Sequence, residues 1–288
     1  LQRLIISDNE LEEGGAAALA KGEWLQLQYL KIDENQLGDA GAVALARGQW
    51  PQLQHLDISG NKVGQAGAWA LGRSQWSQLQ HVEMEGNSPS LLVVAVTWLL
   101  WPQLQHLNLS RTPLGDAGAV ILAKGAWPQL QHLDISIVSM GHQGGAALAK
   151  ASWPQLQHLN LSGNSLGEAG AAMLAQSQWP QLQYLNLNYN NVGEGGAIAL
   201  ARGQWPQLQH LHIGCNEIGQ AGAAALAQGE WPQLRELDIS DNKLGDVGLL
   251  RWPGASGQSC GDWKSLTTYS GSEQQQPSWG LSGRIYKT

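Results

Sequence analysis

The sequence predicts an α/β solenoid, a right-handed coil in which each turn adds one short parallel strand to a concave face and one short α-helix to a convex face. Three observations predict it. Tryptophan recurs at positions 24, 50, 76, 101, 127, 153, 179, 205 and 231, every 26 residues except for one step of 25. Near copies of one unit, clearest as LQHLNLSGNSLGEAGAAMLAQSQWPQ at 156–181, begin at Leu1, Leu27, Leu53, Leu79, Leu104, Leu130, Leu182, Leu208 and Leu234. Within each copy an alternating apolar run gives way to an Ala-rich one. A unit of this size buries its apolar side only against its neighbours, so the repeat reads as one elongated body, residues 1–250, and not as two globules. Residues 251–288 form a non-repeating tail.

The strand comes first in each unit. Leu53, Leu56 and Ile58 are interleaved with His55, Asp57 and Ser59, the period of a half-buried strand. A turn follows, as in Ser59–Asn61, and its Asn recurs as Asn9, Asn35, Asn61, Asn87, Asn164, Asn190, Asn216 and Asn242. An amide side chain at that point can bond backbone groups the turn leaves unpaired, so the stacked copies are expected to form a structural ladder.

The helix comes next. GDAGAVALARG at 38–48 is Ala-rich with apolar residues three and four apart, giving about two turns. Acidic residues open these segments (Glu13, Asp39, Asp116, Glu168, Glu194, Asp246) and basic ones close them (Lys21, Arg47, Arg73, Lys124, Lys150, Arg202), as a helix dipole prefers. Gly and then Trp-Pro end the helix and return the chain to the next strand. Strands stack about 4.8 Å apart and helices about 8 to 10 Å apart. The helical side is therefore longer and the body bends into a horseshoe with its sheet inside.

LQHLDISGNKVGQAGAWALGRSQW at 53–76 and its copies resemble leucine-rich repeats of the ribonuclease-inhibitor-like type, L-x-x-L-x-L-x-x-N-x-L followed by a helix. GAVALA at 41–46 and GAIALA at 196–201 resemble the GALA-type variants of bacterial effectors. The resemblance covers residues 1 to about 250. It implies protein binding through the concave face or rim, the common theme of a family that includes enzyme inhibitors, GTPase-activating proteins, immune-receptor sensor arrays and ubiquitin-ligase substrate receptors. Ribonuclease inhibitors are Cys-rich and alternate two repeat lengths; this chain does neither.

Composition narrows the classes further. Residues 1–250 hold 12 Lys and Arg against 21 Asp and Glu, and an acidic array is a poor ligand for phosphate backbones. Only two cysteines, Cys215 and Cys260, are present, which favours a reducing, cytoplasmic setting. The longest apolar run, 91–101 broken by Thr97, is about half of the ~20 residues a membrane-spanning helix needs. The chain begins at Leu1, without Met and already inside a unit, and so reads as a piece of a longer protein.

Alternation along the strand places three columns on the inner face. The first holds Arg3, Tyr29, His55, His81, His106, His132, His158, Tyr184, His210 and Glu236. The second holds Ile5, Lys31, Asp57, Glu83, Asn108, Asp134, Asn160, Asn186, His212 and Asp238; the third is mostly Ser, with Asp33, Glu85 and Asn188. The His/Tyr column reads either as a recognition or pH-responsive face, since neighbouring imidazoles repel when charged, or as a polar surface residue copied with the unit. Metal capture between adjacent His beside Asp57, Glu83 or Asp134 is the sharper version. No closed ligand set stands out from the periodicity, so no metal and no cofactor are expected.

A Ser-His-Asp set such as Ser59, His55 and Asp57 occurs in nearly every unit, and nothing singles one out as a nucleophile, so no enzymatic activity is expected. Asn108 and Asn160 lie in N-x-S sequons on inward-facing strands, explained by the repeat consensus. The unit at 79–103 loses a residue, gains Pro89 and replaces its Ala-rich helix with LLVVAVTWLL. Val94, Trp98 and Leu99 there would anchor an alternative convex docking patch, or would merely fill space that Ala leaves elsewhere; Trp69, in the third unit's helix, invites the same two readings. The next two units carry Thr112 and Val138 in place of the ladder Asn. The Gly/Ser/Gln-rich tail reads as disordered or as a weak cap built on Trp252, Trp263, Trp279 and Tyr286. The expected function is a protein-interaction scaffold with an unidentified protein partner, neither nucleic acid nor membrane. The alternatives are a regulator of an enzyme, as inhibitor or GTPase activator, and a substrate receptor of a ubiquitin ligase.

Overall fold

The computed structural model describes residues 1–88 and 101–244 and the backbone of 284–286. Val94, Trp98 and Leu99, together with Pro89, Asp246, Cys260 and nearly all of the tail, lie outside the described residues.

Ten three-residue strands stack in chain order into one parallel sheet: β1 Arg3–Ile5, β2 Tyr29–Lys31, β3 His55–Asp57, β4 His81–Glu83, β5 His106–Asn108, β6 His132–Asp134, β7 His158–Asn160, β8 Tyr184–Asn186, β9 His210–His212 and β10 Glu236–Asp238. An eleventh, β11 Arg284–Tyr286, pairs antiparallel with β10. Among the described residues eight helices follow the strands: α1 Glu12–Ala20, α2 Gly38–Leu45, α3 Gln65–Gly72, α4 Gly115–Leu122, α5 His142–Leu148, α6 Gly167–Leu174, α7 Gly193–Leu200 and α8 Gly219–Leu226. The result is an α/β horseshoe with the sheet on its concave side.

The strands are short because only the central residue points into the core. Leu30, Leu56, Val82 and Leu107 are fully buried, while most of the residues flanking them are half-buried on the inner face. Helices pack each against the next. Glycine sets how closely: a Cβ on Gly67 of α3 would lie 2.7 Å from the Ala42 Cβ of α2, so any side chain there would push the two helices apart.

The Asn ladder ties the units together. Asn61, fully buried, accepts from the backbone N–H groups of Asn35 (2.9 Å) and Leu37 (3.3 Å) and donates to the carbonyls of Ile32 (2.8 Å), Ile58 (3.2 Å) and Ser59 (3.1 Å). Asn35, Asn164, Asn190, Asn216 and Asn242 repeat the pattern of donation to carbonyls of their own and the preceding unit. Two rungs differ. The Thr112 hydroxyl reaches the Met84 and Ser110 carbonyls only at 3.4 Å. Opposite the apolar Val138, Leu114 N–H turns back to the Thr112 carbonyl at 2.7 Å.

The recurring Trp forms a second column, inside the body. Trp50, Trp76, Trp101, Trp127, Trp153, Trp179 and Trp205 are among the largest buried side chains. The rings of Trp24–Trp50, Trp50–Trp76, Trp127–Trp153, Trp153–Trp179 and Trp205–Trp231 stack with centroids 5.6 to 6.5 Å apart. Trp76 and Trp231 donate Nε1–H to the carbonyls of Gly48 and Gly203, both at 3.1 Å. Indole is amphipathic in the way this position requires, with an apolar face on each side and one donor at its edge.

Charges mark both ends of the helices, as the sequence expects. The acids do fall in the first turns, at Glu13, Asp39, Asp116, Glu168 and Glu194. No basic residue falls in a last turn: Lys21 and Arg73 are at the C-caps, and Arg47, Lys124, Lys150 and Arg202 are one residue beyond. The helices close early through tight bonds such as Gly48 N–H to the Leu45 carbonyl (2.8 Å), so these charges still face the carbonyl end but from outside it. None of the eight helices is capped by its own N-cap side chain. At α3 and α5 the preceding unit supplies the cap instead. Asp39 Oδ1 accepts from Gly64 and Gly67 at the start of α3, both at 2.8 Å, and Asp116 Oδ1 accepts from Gly141 (2.7 Å) and Gly144 (2.8 Å) at the start of α5. Both helices lack an acid of their own in the first turn.

Candidate binding face

In-register pairing turns the first column into a stack of rings. Tyr29 lies beside His55, His55 beside His81, His81 beside His106, His106 beside His132 and His132 beside His158. Ring centroids along this run are 4.1, 4.2, 3.9, 5.5 and 4.2 Å apart, all stacked. The column continues through His158–Tyr184 at 5.9 Å and Tyr184–His210 at 6.3 Å, and Arg3 covers its first ring at 3.8 Å from the Tyr29 centroid. Every ring in it is half-buried, one face on each neighbour and one edge in solvent.

Most of the second column is engaged with the backbone. Oδ1 of Asp57, Asn108, Asp134, Asn160, Asn186 and Asp238 each accepts the N–H two residues on, at 2.9 to 3.1 Å. This short loop turns the chain out of the strand, and it explains the N-x-S triplets at Asn108 and Asn160. Ser136 Oγ also donates to Asp134 (2.7 Å), and Asn160 Nδ2 donates to the other Asp134 oxygen (2.8 Å). Asp57 is buried and pairs with Lys31. The Ser-His-Asp arrangement therefore does not assemble in this unit, because Asp57 holds Lys31 and Ser59 N–H.

Glu83 behaves differently. One methylene longer than Asp, it reaches back to the ring column, with Oε1 2.8 Å from His81 Nε2 and 3.1 Å from His106 Nε2. Burial pushes its carboxyl up, but hydrogen bonds from His106 and His81 and the charge of His106 outweigh that and hold it well below the usual carboxylate range. At the far end Glu236 Oε2 lies 3.0 Å from His210 Nδ1 and its Oε1 3.5 Å from His212 Nε2, while Tyr184 Oη meets His212 Nδ1 at 3.3 Å. Three of the rings, His55, His132 and His158, are harder to protonate than a free imidazole. Burial, then the neighbouring imidazoles, lower His132 to about 4. His55 falls to about 4 through burial and His81, against the pull of Asp57 and Glu83. His158 is lowered by burial and then by His210 and His106.

The sequence model of the leucine-rich repeat matches residues 27–46, 51–72, 102–123, 154–175, 180–201, 206–227 and 232–250, together more than half of the chain. The chain belongs to the leucine-rich repeat family. Among solved leucine-rich repeat folds, it is similar to TLR13 in a TLR13–ssRNA13 complex, with a TM-score of 0.50 and 19% identity over 83% of this chain and 36% of that one. It is also similar to a chain of the mouse RP105/MD-1 complex, with a TM-score of 0.55 and 20% identity over 85% of this chain and 39% of that one. The chain thus spans well under half the length of either. A sequence search of the curated proteins finds no match.

On this leucine-rich repeat frame the structure brings the His/Tyr column into one continuous surface and leaves the candidates Asp57, Asn108, Asp134 and Asn160 as strand-end turns. The cross-unit caps at Asp39 and Asp116 went unrecognised in the sequence, and Glu83 was placed beside adjacent His there without being set apart from Asp57 and Asp134. A signal for that distinction was present: Glu83 is the one Glu in the second column. On the convex side Trp69 is 45% exposed, with Arg73 over its ring at 4.8 Å; it is not part of the core. Among the described residues no helix is long and apolar enough to cross a membrane.

Proposed function

We propose that this leucine-rich repeat array is a protein-binding scaffold that does no chemistry of its own and holds its partner against the ring column of the concave face. The observation that carries it is the unbroken stack of rings from Tyr29 to Tyr184. Flat rings with one edge in water give large contact area with little conformational freedom left to lose, and a sheet fixed by ladder bonds holds them in place before the partner arrives. The mouse RP105 structure, a similar fold, is a complex with MD-1. The TLR13 structure is a complex with ssRNA13, but here acids outnumber bases along the array, which favours a protein over a phosphate backbone.

The test is capture from a source-cell lysate on the full chain and on a variant with His81, His106, His132 and His158 all changed to Ala, with circular dichroism establishing that both are folded. Partners retained by the parent and lost by the folded variant support the reading. Equal retention refutes it and moves recognition to another surface.

A further inference from the structure

At β4 and β5 three donor atoms converge from three side chains. Glu83 Oε1 lies 2.8 Å from His81 Nε2 and 3.1 Å from His106 Nε2, and one ligand atom from each residue lies within 4.8 Å of the others. The two imidazoles are 3.9 Å apart and within 6° of parallel, so both Nε2 atoms approach the same carboxylate oxygen. Donors bonded to one ion at about 2.1 Å sit roughly 3.0 Å apart in octahedral and 3.4 Å apart in tetrahedral geometry. Two edges of a coordination triangle are thus already close to length.

We propose that His81, Glu83 and His106 bind a divalent transition-metal ion of the zinc class through two imidazole nitrogens and one carboxylate oxygen. Two nitrogens and one oxygen suit zinc, cobalt, nickel or copper and disfavour calcium and magnesium, which take oxygen donors. The ion takes the place now filled by the imidazole-to-carboxylate hydrogen bonds. Asn108 donates a hydrogen bond to the same carboxylate and orients it. The three residues are half-buried, so the remaining coordination positions open onto the concave face.

Repetition alone does not produce this site. His55 and His81 are equally adjacent, but Asp57 is held by Lys31 and Ser59 N–H. Beside His132 and His158, Asp134 is held by Ser136 and Asn160. Asp ends at the turn, whereas Glu83 is long enough to return to the rings.

The test uses the full chain, purified without a His tag and stripped with chelator, titrated with zinc in a calorimeter and with cobalt followed by visible absorption. One ion per chain is expected, with affinity reduced about tenfold or more in each of His81→Ala, His106→Ala and Glu83→Gln. His158→Ala, in the same column but two strands from His106, should retain it. Circular dichroism on each variant separates lost binding from lost fold, and Glu83→Asp, which keeps the charge but withdraws the oxygen, should lose affinity as Glu83→Gln does. The proposal is overturned by absence of uptake up to about 1 mM zinc, or by uptake that survives His81→Ala and Glu83→Gln. Uptake abolished by His212→Ala but not by His81→Ala would overturn it too, placing the ion at Glu236. Since zinc uptake needs no protein partner, this result and the capture experiment fail or succeed separately.

Discussion

Replacing Asn61 with Ala should destabilise the array by about 4 kcal/mol, most of it through two backbone groups. Its side chain is fully buried and makes five hydrogen bonds. Removing Oδ1 leaves the N–H groups of Asn35 and Leu37 without that acceptor, and a buried unsatisfied donor costs about 1 to 3 kcal/mol. Of the carbonyls that lose Nδ2, Ile32 keeps the Asn35 amide, so those groups add less. The chain carries its own control. Thr112 stands at the equivalent position with two bonds at 3.4 Å, and Thr112→Ala should cost only about 1 kcal/mol. Urea unfolding followed by circular dichroism and by Trp fluorescence gives the global change. Stacked repeats open locally, so amide exchange at Asn35 and Leu37 is needed alongside it. A loss below about 1 kcal/mol for Asn61→Ala, or equal losses for the two variants, would refute the view that the Asn carries the turn.

Three further outcomes follow from single residues. Ile137 is 53% exposed and sits at φ 54°, a left-handed conformation that a β-branched residue adopts only under strain, so Ile137→Gly should stabilise by about 1 kcal/mol in the same urea assay. Asp39→Ala removes the acceptor for Gly64 and Gly67 and should cost about 1 to 2 kcal/mol, with exchange rising at the start of α3, not of α2. His55 and His132 are held to about 4 in the folded chain, below their ordinary value, so the unfolded chain takes up protons first as the pH falls. Stability should be constant above about pH 7 and decline between about 6.5 and 4. Glu83, ionised more readily when folded, adds a further decline below about 4.5. The urea midpoint measured across this range should fall less in His132→Gln than in the parent.

Much of the fold was legible because two periods are written in the chain: 26 residues set the stack, and alternation of two along Leu53 to Ser59 set which side chains face inward. From those, the parallel register and the columns follow. What was not legible depends on distances between units. Asp39 looks like an ordinary first-turn acid until α3 is placed beside α2, when its carboxylate proves to face the N–H groups of Gly64 and Gly67. Trp205 looks like a helix terminator beside Pro206 until its burial puts it inside a column of indoles. Asp134 and Glu83 look interchangeable, both carboxylates in one column. Only the length of the side chain, measured against the strand end and the ring, separates a turn from a bridge.

The ladder bonds that leave a unit run to the unit next to it, and each Asn repeats the offset of the last: Asn190 reaches back 29 residues to Leu161, and Asn216 reaches back 29 to Leu187. An array wired this way has no intrinsic length. Excising residues 156–181 would set Asn190 over the carbonyl of Ile135, which Asn164 now bonds at 3.0 Å, and the splice would heal with bonds of kinds already present. Unequal crossing-over between neighbouring copies therefore lengthens or shortens the protein without a fresh folding problem to solve. Every such event adds or removes one turn of the inner surface, so the length of the ring column is set in whole steps by copy number.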